Sequence, residues 1–416
     1  GSSLERTNWL VSGIRFSWHL HVLRWINSFR TQSGEISSQM QFGKVAMSKS
    51  ALASDRRYFP LLLGSSIALC VIGITMVLSA SSVAAIKSSG SSFSIVLKQL
   101  FFLGIGSAFA FLAFKIPTPI YRKLAPLAVV GSCALQLLIF TPLGVNVNGN
   151  RNWLEFGPIR FQPSEFGKLA LVLWVADALT RGGIPLMDRL VRALFGAAPV
   201  LILVLAGKDL GTAIIVFATL FAMLFAAGIS GRALSLFGML AMLGTAALVV
   251  SQSHRLKRFT ALLDPFSVAN YQSAGWQPAH GIMALASGGL FGVGLGAGSQ
   301  KWGNLGPEAH TDFIFAVIGE EVGLFGTLMV VVIFGVVLWC GCSLAMRVKD
   351  NFSRLIAVGV TTWIVFQALI NMGSAIGVFP VVGVPLPFVS YGGSSLISTL
   401  AAIAILLRIA HDRARP

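Results

Sequence analysis
From Tyr58 onward, long apolar runs alternate with short stretches rich in Lys and Arg. Each run is close to the roughly 20 residues that an α-helix needs to cross a hydrocarbon core about 30 Å thick. The runs are continuous rather than alternating, which speaks against a β-barrel. The pattern predicts spans over 60–81, 95–115, 124–142, 164–180, 190–207, 210–228, 232–251, 313–342, 355–378 and 394–410. Lys208 and Asp209 form a polar break between the fifth and the sixth. The expected fold is an all-α polytopic membrane protein with about ten transmembrane helices. The apolar stretch Gly281 to Leu295 is too short to span and predicts a re-entrant or interfacial helix.

Composition agrees with this pattern. Of 416 residues, 55% are apolar and 11% charged, against about 25% charged in a soluble domain. A soluble enzyme, a disordered chain and a disulfide scaffold are excluded. The net charge of +16 is scattered between apolar runs, so no nucleic-acid partner is expected. With the N-terminus placed inside, inner segments carry Arg56, Arg57, Lys115, Arg122, Lys123, Arg181, Arg189, Arg192, Arg232, Arg347, Lys349, Arg354, Arg408, Arg413 and Arg415. Outer segments keep Lys87, Arg151, Arg160, Lys208, Arg255, Lys257, Arg258 and Lys301. That bias puts both termini in the cytoplasm. Cys70, Cys133, Cys340 and Cys342 lie in apolar runs with no CxxC spacing, so neither disulfides nor zinc are predicted. Residues 1–55 differ from the rest, with Trp9, Trp18 and Trp25 among scattered arginines. Arg15 and Arg24 fall on opposite faces of a helix, so a membrane-surface helix is a poor fit. The segment is expected to be an N-terminal extension, unstructured, artificial or an over-extended start before Met47, with the membrane domain over 56–416.

Two outer segments exceed what a connection requires: residues 143–163, and the large loop 252–312 between spans seven and eight. A loop that long is usually functional. The outer half collects Glu155, Glu165, Asp209, Asp264, Glu308 and Asp312 with Arg151, Arg160, Lys168, Lys208 and the Arg255–Arg258 cluster. Charges near a bilayer are costly, so an outward-facing polar site is implied. Asp312 stands where loop becomes helix, beside Glu308 and His310, as an N-cap or a general base. Glu320 and Glu321, placed inside span eight, either lock neighbouring helices or act directly. Glu165 and Lys168 share a helix face, as a closed ion pair or a pair shaping a cavity. Arg151 could bind a phosphate bidentately or anchor the interface with Trp153. The glycines from Gly292 to Gly298 follow no strand, so close backbone approach replaces a dinucleotide-loop reading. The charge-free segment Pro385–Ser395 could bring backbone close to a ligand. Histidine spacing predicts no protein metal site, and no tightly bound cofactor is expected. A divalent cation, Mg²⁺ or Mn²⁺, could still arrive on a substrate pyrophosphate. The residues alone leave open a transporter or an enzyme acting on a lipid-linked substrate.

At these motifs the sequence resembles the SEDS family, the FtsW/RodA proteins of bacteria. The matching pieces are Asn148-Gly149 with Arg151 and Trp153, Phe161–Glu165 with Lys168, Asp209–Thr212, Asp264-Pro265 and Ala286–Gly292. Glu308–Phe315, Gly319-Glu320-Glu321 and Pro387–Ser395 follow in the same order, so the resemblance runs from about 58 to 410. The Lys301–Asp312 region favours the division branch over the elongation branch. Two departures are Lys208, where the family often has proline, and an inserted-looking Tyr271–Gly275. The resemblance implies a multi-pass peptidoglycan glycosyltransferase of the bacterial cytoplasmic membrane, placed at the division septum. It would polymerise lipid II, the undecaprenyl-pyrophosphate-linked disaccharide peptide, at the outer face. The rivals are a lipid II flippase and a non-catalytic divisome scaffold. The family's essential Asp matches Asp312, as general base on the acceptor sugar hydroxyl. Arg151, Lys168, Arg255 and Arg258 are candidates to steady the departing pyrophosphate. Glu165, His310 and Ser390 are further substrate-binding candidates, and Asp209, Glu320 and Glu321 structural ones. The implied partners are a class B penicillin-binding protein, other divisome proteins and membrane lipids.

Overall fold
The computed structural model describes residues 57–414, apart from 148, 149, 158 and 251. The expected extension over 1–55 lies outside the described residues. The chain begins with α1 (Tyr58–Ser89), α2 (Ser94–Lys115) and α3 (Thr118–Leu137). A three-stranded antiparallel sheet follows, β1 (Gly144–Val147), β2 (Asn150–Phe156) and β3 (Ile159–Phe161). Then come α4 (Pro163–Thr180), α5 (Leu186–Ala206), α6 (Leu210–Ala226) and α7 (Gly231–Val250). The long outer loop folds into α8 (Ser253–Leu263), α9 (Val268–Tyr271), α10 (Trp276–Ser287) and two 3₁₀ turns. The chain closes with α11 (Ile314–Arg347), α12 (Asn351–Ala375) and α13 (Gly393–Ala414).

Among the described residues, 8 helices are long and apolar enough to cross a membrane. Of the other two predicted spans, α6 is one residue short of 18, and α4 carries Glu165, Lys168 and Asp177. Both are nonetheless central. α4 packs on α3, α5, α6, α12 and α13, so nearly every side chain along it is buried. α7 sits at the opposite extreme, largely exposed on its flank against α6. Tyr58 stacks near Arg347 and Phe59 near His411, so the starts of the first helix and the ends of α11 and α13 share one face. The cations Lys115, Arg122, Arg347 and Arg408 gather at that face, and Asp177 at its centre is held by Arg122 and Arg181.

The structure corrects two expectations. Segment 143–163 is a small sheet rather than a loop, so the protein is helical but not wholly so. The second concerns α11, which at 34 residues is about 51 Å long, well beyond a core of about 30 Å. Gly323 breaks it with φ +76 and ψ −164. Leu324–Arg347 alone, about 36 Å, is enough to span. Glu320 and Glu321 therefore stand just before a break rather than inside an unbroken helix. Of the predicted Gly281–Leu295 stretch, only the part up to Ser287 is helical, as the end of α10, and residues 288–295 form turns. There, Val293 and Gly294 donate to the carbonyls of Glu320 and Glu321, at 2.9 and 3.1 Å. Gly292, at φ +79, lies so close to the Glu321 carbonyl that a Cβ would stand 2.2 Å from it. The glycine run thus serves backbone approach.

Candidate active site
A cavity of about 290 Å³ opens where β2, the α5–α6 turn, α8, the 3₁₀ turn before α11 and the α12–α13 loop converge. That is near the lower end of typical ligand pockets. The lining brings Glu308, Thr311 and Asp312 together with the cations Lys208, Arg255 and Arg258. Asp312 does not cap the helix it precedes: the N-cap position is Phe313, without a side-chain bond. Among the described residues no donor reaches the Asp312 carboxylate. Burial raises its pKa to about 6, the Glu308 charge adds to the rise, and Arg258 opposes it. A carboxylate with that pKa, facing a cavity and free of hydrogen bonds, can take a proton near neutral pH.

The main chain behind Asp312 is fastened at three consecutive carbonyls. His310 accepts from the Tyr391 N–H at 2.9 Å, Thr311 from Ser390 Oγ at 2.5 Å and Asp312 from Asn371 Nδ2 at 2.9 Å. Asn371 Nδ2 also donates to the Val384 carbonyl at 2.8 Å. The cavity loop and the carboxylate are therefore set by one buried amide. Sequence reading missed Asn371. Its signal was available, because Gln367 and Asn371 are polar, four apart and set within an apolar span. Glu308 accepts from Gln277 Nε2 at 3.0 Å, so the stretch after the inserted-looking Tyr271–Gly275 also shapes this wall.

The predicted residues divide clearly. Asp312, Asp209, Arg255 and Arg258 line the cavity. Asp209 caps α6 through the Thr212 N–H at 3.1 Å and accepts from Gln162 and Ser164, which suits its structural assignment. Arg151 is not in the lining. Its β2 neighbours Asn150, Asn152 and Trp153 line the cavity, while Arg151 donates to the Thr141 carbonyl at 2.9 Å. Glu165 and Lys168 are also absent from it. They form an ion pair of 2.9 Å, 1% and 2% exposed, inside the bundle. Lys168 donates further to Gln367, and Ser398 to Glu165, so the pair joins α4 to α12 and α13. His310 lies behind the wall, its buried ring 5.4 Å from that of Tyr391, and burial lowers its pKa to about 4. It is therefore neutral near pH 7. Ser390 holds backbone rather than facing the cavity. Glu320 is ringed by Ser299 and Gln300 donors, and Glu321 by Ser79, Gly296 and Lys301 at 2.6 Å, so both lock the α11 break. No cluster of three His, Cys, Asp or Glu among the described residues could hold a metal.

The family model for FtsW/RodA/SpoVE, described as cell cycle proteins, matches residues 60–415. A probable peptidoglycan glycosyltransferase FtsW of Legionella pneumophila is 36% identical over 84% of this chain and 90% of its own. Stage V sporulation protein E of Bacillus subtilis is 35% identical over 82% of this chain and 94% of its own. Among solved structures, a chain from a peptidoglycan synthase complex that coordinates polymerization and crosslinking aligns with a TM-score of 0.69 and 29% identity. It covers 85% of this chain and 98% of that one. The rod shape determining protein RodA of Thermus thermophilus aligns at 0.63 with 29% identity, over 85% and 97%. The multi-pass helical membrane bundle, the order of its motifs and these matches agree: the chain belongs to the FtsW/RodA/SpoVE family.

Proposed function
We propose that the cavity is a glycosyltransferase site that extends a glycan from lipid II at the outer face of the cytoplasmic membrane, in septal cell-wall synthesis. The observation that carries this reading is the unbonded Asp312 carboxylate, pushed up to about 6, in a cavity that is also lined by Lys208, Arg255 and Arg258. Asp312 takes the proton from the acceptor sugar 4-hydroxyl as that oxygen attacks the anomeric carbon of the donor. The carbon–oxygen bond to the donor's lipid pyrophosphate breaks, and the two electrons leave with the pyrophosphate. One displacement converts an α-linked donor into a β-1,4 link, so one base suffices. The cations that line the cavity stabilise the charge that develops on the leaving group. A divalent cation would enter on the pyrophosphate. The cationic face that gathers the starts and ends of α1, α11 and α13 would be cytoplasmic by the positive-inside bias, which turns the cavity outward. A class B penicillin-binding protein is the expected partner for crosslinking.

The test is polymerisation of labelled lipid II by the purified chain, with and without such a partner, with Mg²⁺ or Mn²⁺. Glycan ladders that vanish in Asp312→Ala support the reading. Ladders that persist in the variant remove Asp312 from the chemistry. Absence of ladders together with lipid II translocation in liposomes would indicate a flippase instead.

A further inference from the structure
Lys208, Arg255 and Arg258 line the cavity, and they are not equivalent. Arg255 is 8% exposed, with Nη2 donating to the Lys208 carbonyl at 2.8 Å and Nη1 to that of Leu248 at 3.1 Å. Arg258 Nη1 donates to the Val381 carbonyl at 3.0 Å. Lys208 is exposed, and its ammonium has no hydrogen bond or ion pair among the described residues. The neighbouring Asp209 carboxylate is already satisfied by Gln162, Ser164 and Thr212.

Lys208 also has an unusual backbone. Its φ is +61, the left-handed region, shared among described non-glycine residues only with Phe388. Residues with a Cβ enter that region at a cost and stay there when the surroundings fix them. The surroundings are visible: the Lys208 N–H donates to Leu205, Asp209 N–H to Val204, and the buried Arg255 guanidinium grips the Lys208 carbonyl. Proline, locked near −65°, cannot make this turn. The turn fixes where the lysine stem leaves the backbone, and the stem leads into the cavity that also holds Asp312.

We propose that Lys208 is the cation that receives the pyrophosphate of the lipid-linked substrate, and that Arg255 is a positioning residue that presents it. This rests on the glycosyl-transfer reading. A lysine ammonium is a compact charge on a flexible stem, suited to an anion that moves as its bond to the sugar breaks. Arg255, with both ends of its guanidinium engaged on carbonyls, acts through the turn.

The test uses the full chain in lipid nanodiscs. Binding of undecaprenyl pyrophosphate and undecaprenyl monophosphate is measured beside the kinetics of lipid II polymerisation. Asn tolerates the left-handed region, so Lys208→Asn removes the charge and keeps the turn. It is expected to weaken pyrophosphate-lipid binding about tenfold, worth ~1.4 kcal/mol, and to narrow the difference between the two lipids. KM rises more than kcat falls, and the melting temperature is unchanged. Lys208→Arg retains most of the affinity. Arg255→Gln shows the same loss with Lys208 present. Wild-type binding by Lys208→Asn, or equal losses in Lys208→Arg and Lys208→Asn, would overturn the assignment while polymerisation by the wild type upholds the glycosyltransferase. A wild type that neither binds nor polymerises, even with the partner, overturns both.

Discussion

Replacing Glu308 with Gln tests whether Asp312 is a base tuned by its neighbours. A general base acts only when ionised, so the rate falls as pH drops through its pKa. Asp312 is raised from an ordinary 3.8 to about 6, by burial first and by the Glu308 charge second. It is then about nine-tenths ionised at pH 7 and about one-tenth at pH 5. The substituted amide would keep an oxygen for the Gln277 bond, now 3.0 Å long, so the wall keeps its shape while its charge is lost. The Asp312 pKa must fall, but it must stay above 3.8, because burial, the larger cause, is untouched. A midpoint near 5 would lift the rate at pH 5 from about one-tenth to about one-half of the plateau. Initial rates of lipid II polymerisation from about pH 4.5 to 8 give the acid limb of kcat/KM. Arg258→Gln removes the opposing charge, so its limb moves to higher pH. An unmoved or raised midpoint in Glu308→Gln would refute the tuning argument. So would a wild-type profile without an acid limb near 6.

Three further outcomes follow from the same geometry. Asn371→Ala unpairs the Asp312 and Val384 carbonyls, at about 1–3 kcal/mol for each buried group left unsatisfied. Its kcat should fall more than its KM rises, and an unchanged kcat would remove Asn371 from the support of the base. Lys301→Met strands the Glu321 charge at the α11 break, at a cost of about 3–5 kcal/mol. Thermal unfolding in detergent should show that loss, with most of it recovered when Glu321→Gln is added; no recovery would contradict the ion-pair account. Asp312→Asn should stabilise the protein above pH 6. The native state holds the Asp312 proton more tightly than the unfolded chain, so stability falls as pH rises from 3.8 to about 6, a span worth about 3 kcal/mol. The gain from Asn should be present at pH 8 and gone at pH 4; a constant gain would point to packing rather than charge.

Local hydropathy was enough to place the bundle. Solvent alone dictates that a run of about 20 apolar residues becomes a membrane helix, so the long helices were legible from local pattern. The residues left Asp312 as an N-cap or a general base among six outer carboxylates, and the family resemblance pointed to the base. Tertiary structure decided which other charges face the cavity. Arg151 looked like a phosphate ligand, but its guanidinium is engaged on the Thr141 carbonyl and is absent from the cavity lining. Glu165 and Lys168 looked like site residues, but their i,i+3 spacing is equally a closed ion pair, and only packing against Gln367 and Ser398 distinguishes the two. Glu320 and Glu321 looked like residues of an unbroken span, but the helix breaks at Gly323 beside them. Asn371 and Lys208 went unassigned because their roles rest on contacts between residues far apart in the chain: Asn371 with Asp312 and Val384, Lys208 with Arg255. Hydropathy is a property of a residue and its near neighbours, whereas the direction of a side chain and the partner of a charge belong to surfaces that meet only when the chain has folded.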